Sequence, residues 1–442
     1  MSHQVGLFLF KNDLRLDDNL SLARAAAETD QLICLYCLEA KQPPSSLRAP
    51  ADLSVHRKGF LRQSLTELDN SLKTLGQQLV VSAEPALDII PQLITRYSIT
   101  QIYSSENVGY YENRLWQRLI KCYPLISFQR IASHTLFDQT ELPFELTELP
   151  DSFSKFRKVI EPLKIKPARP QPKMLPPSPA SSAAWPWISN RSAHQPLFEG
   201  GEQQGLTHLQ RYFRSGLAST YKETRNGLDG MDCSTKFSPW LANGCLSARR
   251  VIQSLRDYEC NMGANDSTYW IYFELLWREY YQLYAHRHGK RLFGFSGIKS
   301  RKPTTSFYPE RFQKWCRGNT PYPIVNACMK QLNSTGYMSN RGRQLVASCF
   351  VHELGLDWRY GAAYMEHQLI DYDTASNWGN WQYLAGVGAD PRGHRRFDLT
   401  KQTQLYDPDR VFINRWDGDR HDPALDSMDA ADWPIVTFQE SR

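Results

Sequence analysis

The sequence predicts an α/β N-terminal domain with a doubly wound parallel sheet, followed by an all-α C-terminal domain. Before residue 135, short apolar segments alternate with helical segments, which is typical of a parallel sheet covered by helices on both faces. After residue 201 the apolar residues follow helical spacing and aromatic residues become frequent. The chain of 442 residues is also longer than one ordinary core supports, which favours more than one domain.

The first domain, residues 1–135, contains four predicted strands and three predicted helices. The strands are predicted at 5–10, 31–38, 78–82 and 101–104, and the helices at 21–27, 56–75 and 84–97. Parallel sheets bind ligands outside the carboxyl ends of their strands. Polar segments follow two of these ends, so Arg15 and Glu112 are candidate contacts to a small ligand. Solvated loop charge is the alternative interpretation.

Residues 136–200 differ in composition and predict an interdomain linker. Within them, residues 167–186 are rich in proline, serine and alanine, which disfavours a helix or a central strand. The helical domain then covers residues 201–442. Its polar end after Arg410 has little helical spacing, and chain ends of this kind are often poorly ordered.

Charged and amide side chains are concentrated between Gly336 and Trp381, in otherwise apolar sequence. Arg343 lies at the start of an apolar helical segment. Asp371 and Asp373 precede a turn rich in serine, asparagine and glycine. Because buried charge is costly unless it is paired, we expect these groups to pair with one another or with a polar ligand.

Two further segments are candidates for ligand binding. The turn Ser234-Thr-Lys-Phe-Ser238 precedes a predicted helix, where hydroxyl groups, a lysine and free N–H groups suit a phosphate. Helix capping by serine and threonine is the alternative. The predicted helix at 269–284 is rich in aromatic residues, and on it Glu274 and Arg278 are four residues apart. This spacing predicts an ion pair within the helix.

Composition and motif content exclude several classes of protein. The net charge of +6 permits a nucleic-acid partner without requiring one. No apolar stretch is long enough to span a membrane and no secretion signal is seen, so we expect a cytoplasmic protein with reduced cysteines. Zinc-helix, nucleophile-elbow and phosphate-loop motifs are absent from the sequence. We therefore expect no metal site, and an organic cofactor to carry the chemistry.

Five motifs distributed over nearly the whole chain are informative together. They are Lys11-Asn-Asp-Leu-Arg-Leu-Asp-Asp-Asn-Leu20, Leu276-Trp-Arg-Glu-Tyr280, Thr320-Pro-Tyr-Pro-Ile-Val-Asn-Ala327, Asn333-Ser-Thr-Gly-Tyr-Met-Ser-Asn-Arg-Gly-Arg-Gln344 and Asp371-Tyr-Asp-Thr-Ala-Ser-Asn-Trp-Gly-Asn-Trp381. Together these motifs resemble the photolyase/cryptochrome family. The Ser-Asn-Arg-Gly-Arg-Gln string is similar to the DASH branch of that family in particular.

The resemblance implies an FAD cofactor, folded into a U inside the helical domain. It implies that Arg343 and Asp371 form an ion pair at the isoalloxazine ring and that Asn377 lies near flavin N5. A neutral amide can donate to N5 or accept from it, whereas a carboxylate would oppose an anionic reduced flavin. The other cofactor contacts that the resemblance implies are Tyr221, Ser234, Thr235, Lys236, Phe237, Ser238, Glu274, Arg278, Asn340 and Asp373.

The resemblance also implies a chain of tryptophans that carries electrons from the surface to the flavin. Trp381 and Trp358 match its inner members, with ordinary core packing as the alternative. The third tryptophan of the family has no match around residues 304–308. Either another aromatic residue, such as Trp378, provides the exit to the surface, or photoreduction is impaired.

On the DNA side, Trp277 matches the ring on which a flipped pyrimidine dimer stacks. Arg225 and Arg341 match phosphate contacts. Gln344 and Tyr383 stand where duplex photolyases have more apolar residues, which should weaken capture of a dimer flipped from a duplex. The implied function is blue-light-driven splitting of cyclobutane pyrimidine dimers by a monomer, preferentially in single-stranded DNA. The residues expected to take part in catalysis are Glu274, Trp277, Asn377, Trp358 and Trp381.

Two further expectations follow from the resemblance. An antenna chromophore is expected in the N-terminal domain, most often a methenyltetrahydrofolate in this branch, with Glu112 as the candidate carboxylate for its pterin. The alternative function is a blue-light photoreceptor or regulator with little repair activity. The cavity with Gln344 and Tyr383 and the altered tryptophan chain favour that alternative, whereas the sequence offers no long C-terminal extension of the signalling kind.

Overall fold

The computed structural model describes residues 4–38, 53–181, 185, 196–389 and 395–422. It confirms the predicted fold class, since a parallel sheet with helices is followed by a helical region. Part of the proline-rich segment 167–186, and the predicted polar chain end beyond residue 422, lie outside the described residues. Among the described helices, none combines the length and the apolar content needed to cross a bilayer.

Strands and helices alternate through the N-terminal domain. In chain order they are β1 Val5–Phe10, α1 Leu20–Glu28, β2 Gln31–Cys37, α2 Val55–Thr74, β3 Leu79–Ser82, α3 Ala86–Tyr97, β4 Gln101–Ser105, α4 Tyr110–Cys122 and β5 Ser127–Ile131. All neighbouring strands are parallel, in the order β3-β2-β1-β4-β5. Phe8 of β1 lies beside Cys34 of β2 and Tyr103 of β4, so the middle of the sheet is apolar and buried.

The structure adds α4 and β5 to the elements that the sequence predicted. β5 lies at the edge of the sheet, and its residues are half-buried or exposed. An edge strand needs no continuous apolar run, so its sequence lacks the signal of the inner strands. α4 begins at Tyr110, within a segment that the sequence predicted as a polar loop.

The predicted linker is partly helical. The helix α5 covers Phe153–Ile160, and two 3-10 turns precede it at Gln139–Glu141 and Leu146–Glu148. The apolar side of α5 is buried, with Phe156 fully covered. This segment therefore packs as part of the core, and the domain boundaries at 135 and 200 stay a prediction.

Helices make up the rest of the described chain. They are α6 Glu202–Arg214, α7 Tyr221–Thr224, α8 Ser238–Asn243, α9 Ala248–Met262, α10 Asp266–His288, α11 Pro309–Arg317, α12 Pro323–Thr335, α13 Asn340–Ser348, α14 Trp358–Gln368, α15 Thr374–Leu384, α16 Leu399–Tyr406 and α17 Val411–Arg415. The irregular structure expected after Arg410 is wrong for α17. That helix forms because the Asp407 carboxylate accepts hydrogen bonds from the N–H groups of Phe412 and Ile413, both at 2.9 Å.

The two domains meet through buried charges around the loop after β1. Glu202, the first residue of α6, accepts hydrogen bonds from the N–H groups of Leu16 and Asp17 at 2.8 and 2.7 Å. Asp18 pairs with Arg249 of α9 at 3.0 Å, and both side chains are almost fully buried. Since each buried charge has a polar partner across the boundary, these contacts fix the sheet relative to the helices.

Candidate cofactor and DNA site

The loop before α8 forms a polar cradle. Ser234 and Lys236 have positive φ angles of 70° and 56°, which are uncommon for residues other than glycine. Lys236 is 5% exposed, and burial lowers the pKa of its ammonium group. The ring of Tyr337 lies 5.2 Å from Lys236 Nζ, and the Tyr337 hydroxyl contacts Ser234 and Ser238. Among the described residues Lys236 has no hydrogen-bonding partner, and Asp229 and Asp371 attract it only at longer range, so a phosphate group would supply a direct partner.

Arg343 and Asp371 form an ion pair beside this cradle. Arg343 Nη2 lies 2.9 and 2.7 Å from the two carboxylate oxygens, and Nε donates to the Met338 carbonyl at 2.9 Å. Burial is the largest influence and lowers the pKa of Arg343, but the charge of Asp371, the Tyr337 hydroxyl and the hydrogen bond to Asp371 together outweigh it, so the pKa is raised. Asp371 thus neutralises Arg343, and Lys236 is the cation without a direct partner that could take a phosphate of the expected FAD. Asn340, three residues before Arg343, is exposed at the start of α13.

Two predicted cofactor contacts lie at the start of α15. Asn377 Nδ2 donates to the Ala362 carbonyl at 3.0 Å, which orients the amide and leaves its oxygen without a partner among the described residues. Asp373 caps the helix by accepting from the Ser376 N–H at 2.7 Å, and it also accepts from Gln282 Nε2 at 2.7 Å. Asp373 therefore has a capping role, and its contact to the cofactor stays a prediction.

Glu274 and Arg278 take different partners from those predicted. The Glu274 carboxylate contacts Arg225, whereas Arg278 Nη1 donates to the carbonyl of His134 in the N-terminal half. The predicted ion pair within α10 is therefore wrong, because each side chain meets a partner from another part of the fold. Burial raises the pKa of Glu274 and Arg225 opposes this shift. Tyr221 lies near this pair, and burial raises the pKa of its hydroxyl.

Trp277 lies at the centre of an aromatic cluster. Its ring stacks on Phe153 with centroids 3.8 Å apart and an interplanar angle of 11°. Tyr281 lies 5.5 Å from it, and Tyr383 meets it edge-on at 6.2 Å. Trp277 is half-buried, so a base can stack only on the part of the ring that these neighbours leave open. Gln344 is also half-buried, one turn into α13.

Three arginines form a cationic cluster near these rings. Burial lowers the pKa of Arg341, and repulsion from Arg225 and Arg395 adds to the shift. Arg341 lies over the ring of Tyr406 at 4.6 Å, and Arg395 lies over the ring of Tyr383 at 4.7 Å. Mutually repelling cations of this kind suit a phosphate backbone. Sequence reasoning missed Arg395. The basic run in which this residue lies was the signal that could have indicated it.

The two predicted members of the tryptophan chain are both buried. Trp381 packs against the backbone of Gly361, where an added Cβ would lie 2.2 Å from the indole ring. Trp358 is fully buried, and its ring meets that of Trp378 with centroids 5.8 Å apart. Trp378 Nε1 donates to Glu366 Oε2 at 3.0 Å. The structure therefore brings Trp378, one of the two alternatives left open, into contact with Trp358.

An aromatic stack lies where the family's third tryptophan was expected. Phe307 stacks on Tyr360 with centroids 4.0 Å apart and an interplanar angle of 22°. Tyr308 is 38% exposed, and Arg311 lies over its ring at 4.2 Å.

The two candidate antenna contacts are placed differently. Arg15 is 1% exposed, and its guanidinium donates to carbonyl groups that include those of Ser133 and Gly244. Arg15 therefore has a structural role in the domain interface, and its predicted contact to a ligand is corrected. Glu112 is half-buried in the first turn of α4, with its carboxylate against the backbone of Gly109.

A cavity beside the ends of β4 and β5 was not predicted from the sequence. Burial raises the pKa of Glu106 and lowers the pKa of His286 to about 4, so burial favours the uncharged form of each. The cavity lies outside the carboxyl ends of two strands, which is a usual position for ligands of such sheets. It is lined by Glu106, Ala132, Ser133, His134, Thr135, Gln139, Gln282, Leu283 and His286.

Comparison with known proteins identifies the family. A family model described as DNA photolyase matches residues 6–177, and one described as the FAD binding domain of DNA photolyase matches residues 270–423. The second range contains the Arg343–Asp371 pair, and the first contains the parallel sheet.

Several relatives match over nearly their whole length. Cryptochrome DASH of Idiomarina loihiensis is 55% identical, with 98% of this chain and 97% of the relative covered. Cryptochrome DASH of Vibrio parahaemolyticus is 52% identical, with 100% and 99% covered. A solved Synechocystis cryptochrome, 38% identical, superimposes with a TM-score of 0.87 over 98% of this chain and 96% of its own. The chain therefore belongs to the photolyase/cryptochrome family, within its group of DASH cryptochromes.

Proposed function

We propose that this flavoprotein is a light-driven lyase that splits cyclobutane pyrimidine dimers, preferentially in single-stranded DNA. The observation that carries the proposal is the position of Trp277 between the arginine cluster and the cofactor residues. Trp277 contacts Tyr383, which lies under Arg395. One turn earlier on α10, Glu274 pairs with Arg225, which lies close enough to repel Arg341 and to act on the predicted cofactor contact Tyr221. A ring for a base, cations for phosphates and a cradle for FAD therefore share one region.

The charge of each side chain determines its proposed role around the cofactor. Lys236 would neutralise a phosphate of FAD, and the Arg343–Asp371 pair would lie at its isoalloxazine ring. Asn377 offers a neutral amide oxygen near the ring, where a carboxylate would repel negative charge. When bound, reduced FAD supplies the electron that splits the dimer. Glu274, which Arg225 keeps in place, lies on the same helix as Trp277 and would face the substrate.

The preference for single strands follows from weak binding of the flipped dimer. Flipping from a duplex costs a few kcal/mol, and single strands avoid most of this cost. Phe153 covers part of the Trp277 ring, and Gln344 and Tyr383 offer a more polar surround than apolar residues would. The remaining contacts are then sufficient for a dimer that is already unpaired. Weak binding of duplex DNA or RNA is compatible with this preference.

We also propose that the monomer holds a methenyltetrahydrofolate antenna near the domain boundary. Glu112 and the cavity lined by Glu106 and His286 are the supporting observations. Fluorescence of a folate released by acid from the purified protein tests this, and a protein that neither retains nor binds added folate contradicts it.

Repair under blue light tests the main proposal. The fully reduced protein is mixed with a dimer in single-stranded or duplex DNA, and recovery of pyrimidine absorbance is followed. We expect faster repair of the single strand. Absence of repair in both substrates rejects the proposal.

A matched pair of variants tests the arginine cluster. Arg341→Gln should weaken binding of single strands and lower the slope of log K against log salt by about 0.7, the share of one phosphate contact. Arg118→Gln, which removes an exposed charge from α4, is the control and should leave the slope unchanged.

A blue-light regulator with little repair activity is the second candidate. It is favoured by Phe307 and Tyr360, which occupy the place of the third tryptophan. It requires binding of a nucleic acid or protein that differs between dark and light. Equal binding in both conditions removes this candidate.

A further inference from the structure

Aromatic rings form a continuous row that begins at Trp277 and continues toward the start of α10. Phe153 of α5 stacks on Trp277 at 3.8 Å and meets Phe273 at 5.1 Å. Phe273 meets Trp270 at 4.4 Å. Trp270 and Phe273 are half-buried, and Tyr269 at the far end is 39% exposed. At a rise of 1.5 Å per residue, the row extends roughly 10 Å along the helix from Trp277.

Guanidinium groups lie over two of these rings. Arg225 lies 4.5 Å from the centroid of Trp270, and Arg157 lies 5.5 Å from that of Phe273. The nearby acidic residue Glu161 is held by Arg157 at 3.6 Å and accepts a hydrogen bond from the Tyr269 hydroxyl. Its charge is therefore compensated within the protein. The row thus has cations over two of its rings and an exposed ring at its far end.

Exposed lysines lie on the same segment as Arg157. Lys158 on α5 and Lys164 just after it are exposed, and neither has an acidic partner among the described residues. Because Arg157 is paired with Glu161 and Lys155 with Asp151, these two lysines give the segment its excess positive charge, which complements a phosphate backbone.

We propose that this row, Tyr269, Trp270 and Phe273 with Arg157, Lys158 and Lys164, is a track for single-stranded nucleic acid. The inference rests on the proposed function, since the strand is the one whose dimer occupies the Trp277 site. Unpaired bases next to the dimer stack on the rings and on the guanidinium groups, while the lysines contact phosphates. Half-exposed rings interleaved with cations are typical of surfaces that bind single strands.

A duplex fits this surface poorly. Its bases are stacked on one another inside the helix, so their faces cannot reach the rings of the row. A duplex would engage only the lysines, through its phosphates. The row therefore binds the single strand more tightly than the duplex of the same length, in addition to any preference at the dimer itself.

The test compares two dimer-containing ligands on the full-length protein with its cofactor bound. One is a dinucleotide that consists of the dimer alone, and the other is a single strand of sixteen nucleotides. Trp270→Leu and Tyr269→Leu should each weaken binding of the longer strand roughly 5- to 150-fold, the range for one base stacked on an aromatic ring. For Tyr269→Leu, binding of the dinucleotide should stay within about twofold of wild type, because the dinucleotide does not reach the row. Trp270→Leu also removes the ring under Arg225, so its effect on the dinucleotide is compared with its larger effect on the longer strand.

Lys158→Gln adds an electrostatic readout. For the longer strand it should lower the slope of log K against log salt by about 0.7. Tyr111→Leu and Lys121→Gln make the same chemical changes at exposed positions on α4 and serve as matched controls. Tyr269 is exposed, so Tyr269→Leu keeps the test informative if Trp270→Leu unfolds the protein.

The outcomes separate the two proposals. If wild type binds neither ligand, the proposed function fails. If wild type binds both, but the variants bind the longer strand as tightly as their controls, the track alone is overturned. An equal loss of affinity for a duplex of sixteen base pairs would also overturn the assignment to single strands.

Discussion

At Asp371, a carboxylate that is 1% exposed depends on the guanidinium of Arg343 for its counter-charge. The residues alone predicted that the charges in that stretch would pair with one another or with a polar ligand, and the family resemblance implied the Arg343–Asp371 pair in particular. Helical spacing gave the wrong pair for Glu274 and Arg278. Their spacing permits a pair, but Arg225 and the His134 carbonyl offer better placed partners that spacing along one helix cannot reveal.

Asp371→Asn should destabilise the protein by about 3 kcal/mol, because it leaves the buried Arg343 charge without its partner. Urea unfolding of the apoprotein measures the loss, and retention of FAD on a desalting column should fall in parallel. Asp151→Asn, at a side chain that is 74% exposed and paired with Lys155, is the control, with an expected change below about 1 kcal/mol. Equal effects of the two substitutions would contradict the importance of the buried pair.

Gly361 and Gly59 are both inside helices, but they differ in the space around them. Gly361→Ala should cost about 1–3 kcal/mol, because its Cβ would lie 2.2 Å from the Trp381 ring and something must move. Gly59→Ala, which meets nothing within 4 Å, should instead stabilise α2 by up to about 1 kcal/mol. Thermal unfolding measures both. A stabilising Gly361→Ala would show that Trp381 is not held against α14.

At the scale of elements, α14 and α15 bring Trp358 and Trp378 together. Each tryptophan follows the spacing of its own helix, and nothing in either spacing specifies which rings will touch. The contact depends on how the two helices cross, and crossing angles arise from side-chain packing over the whole surface. For this reason the sequence left two alternatives open, an electron exit through Trp378 or impaired photoreduction. The contact between Trp358 and Trp378 makes the first alternative testable.

Trp378→Phe should slow the light-driven accumulation of reduced cofactor at least several-fold if this contact provides the electron exit. Phenylalanine keeps an aromatic ring but is much harder to oxidise than indole. The measurement is the absorbance of bound FAD during blue illumination with a thiol reductant. Trp116→Phe, at a buried tryptophan in the N-terminal domain, is the control. An unchanged rate would direct attention to Phe307 and Tyr360 instead.

At the scale of the whole molecule, Glu202 joins the two domains. Burial raises its pKa to about 7, although two backbone N–H groups partly stabilise the carboxylate. The folded state then binds the proton more tightly than the unfolded state, so this group lowers stability as pH rises from about 4.5 to about 7. The full effect is about 3 kcal/mol, on the scale of 1.36 kcal/mol for each pKa unit.

Glu202→Gln should therefore show a smaller decrease in unfolding free energy between pH 5 and pH 8 than wild type. Urea titrations at the two pH values measure it. Glutamine keeps one acceptor oxygen for Leu16 or Asp17, so some stability is lost at both pH values. Glu279, whose pKa burial also raises to about 7, is present in both proteins and cancels in the comparison. The exposed substitution Glu148→Gln should leave the wild-type pH dependence unchanged.

The sequence by itself determined the fold class, because alternating apolar segments specify a parallel sheet and helical spacing specifies a helical domain. Its motifs also determined the family, and with it the expected cofactor. The edge strand β5 escaped prediction, because an edge position does not require an apolar run.

Only the tertiary structure decided what each polar side chain does. It placed Arg15 in the domain interface and paired Glu274 with Arg225. It also showed that Asp373 caps a helix and that Arg395 belongs to the arginine cluster. The physical reason is that a charge takes whichever partner the packing brings within reach. That distance is set by the crossing of several elements, and no single segment of sequence contains it.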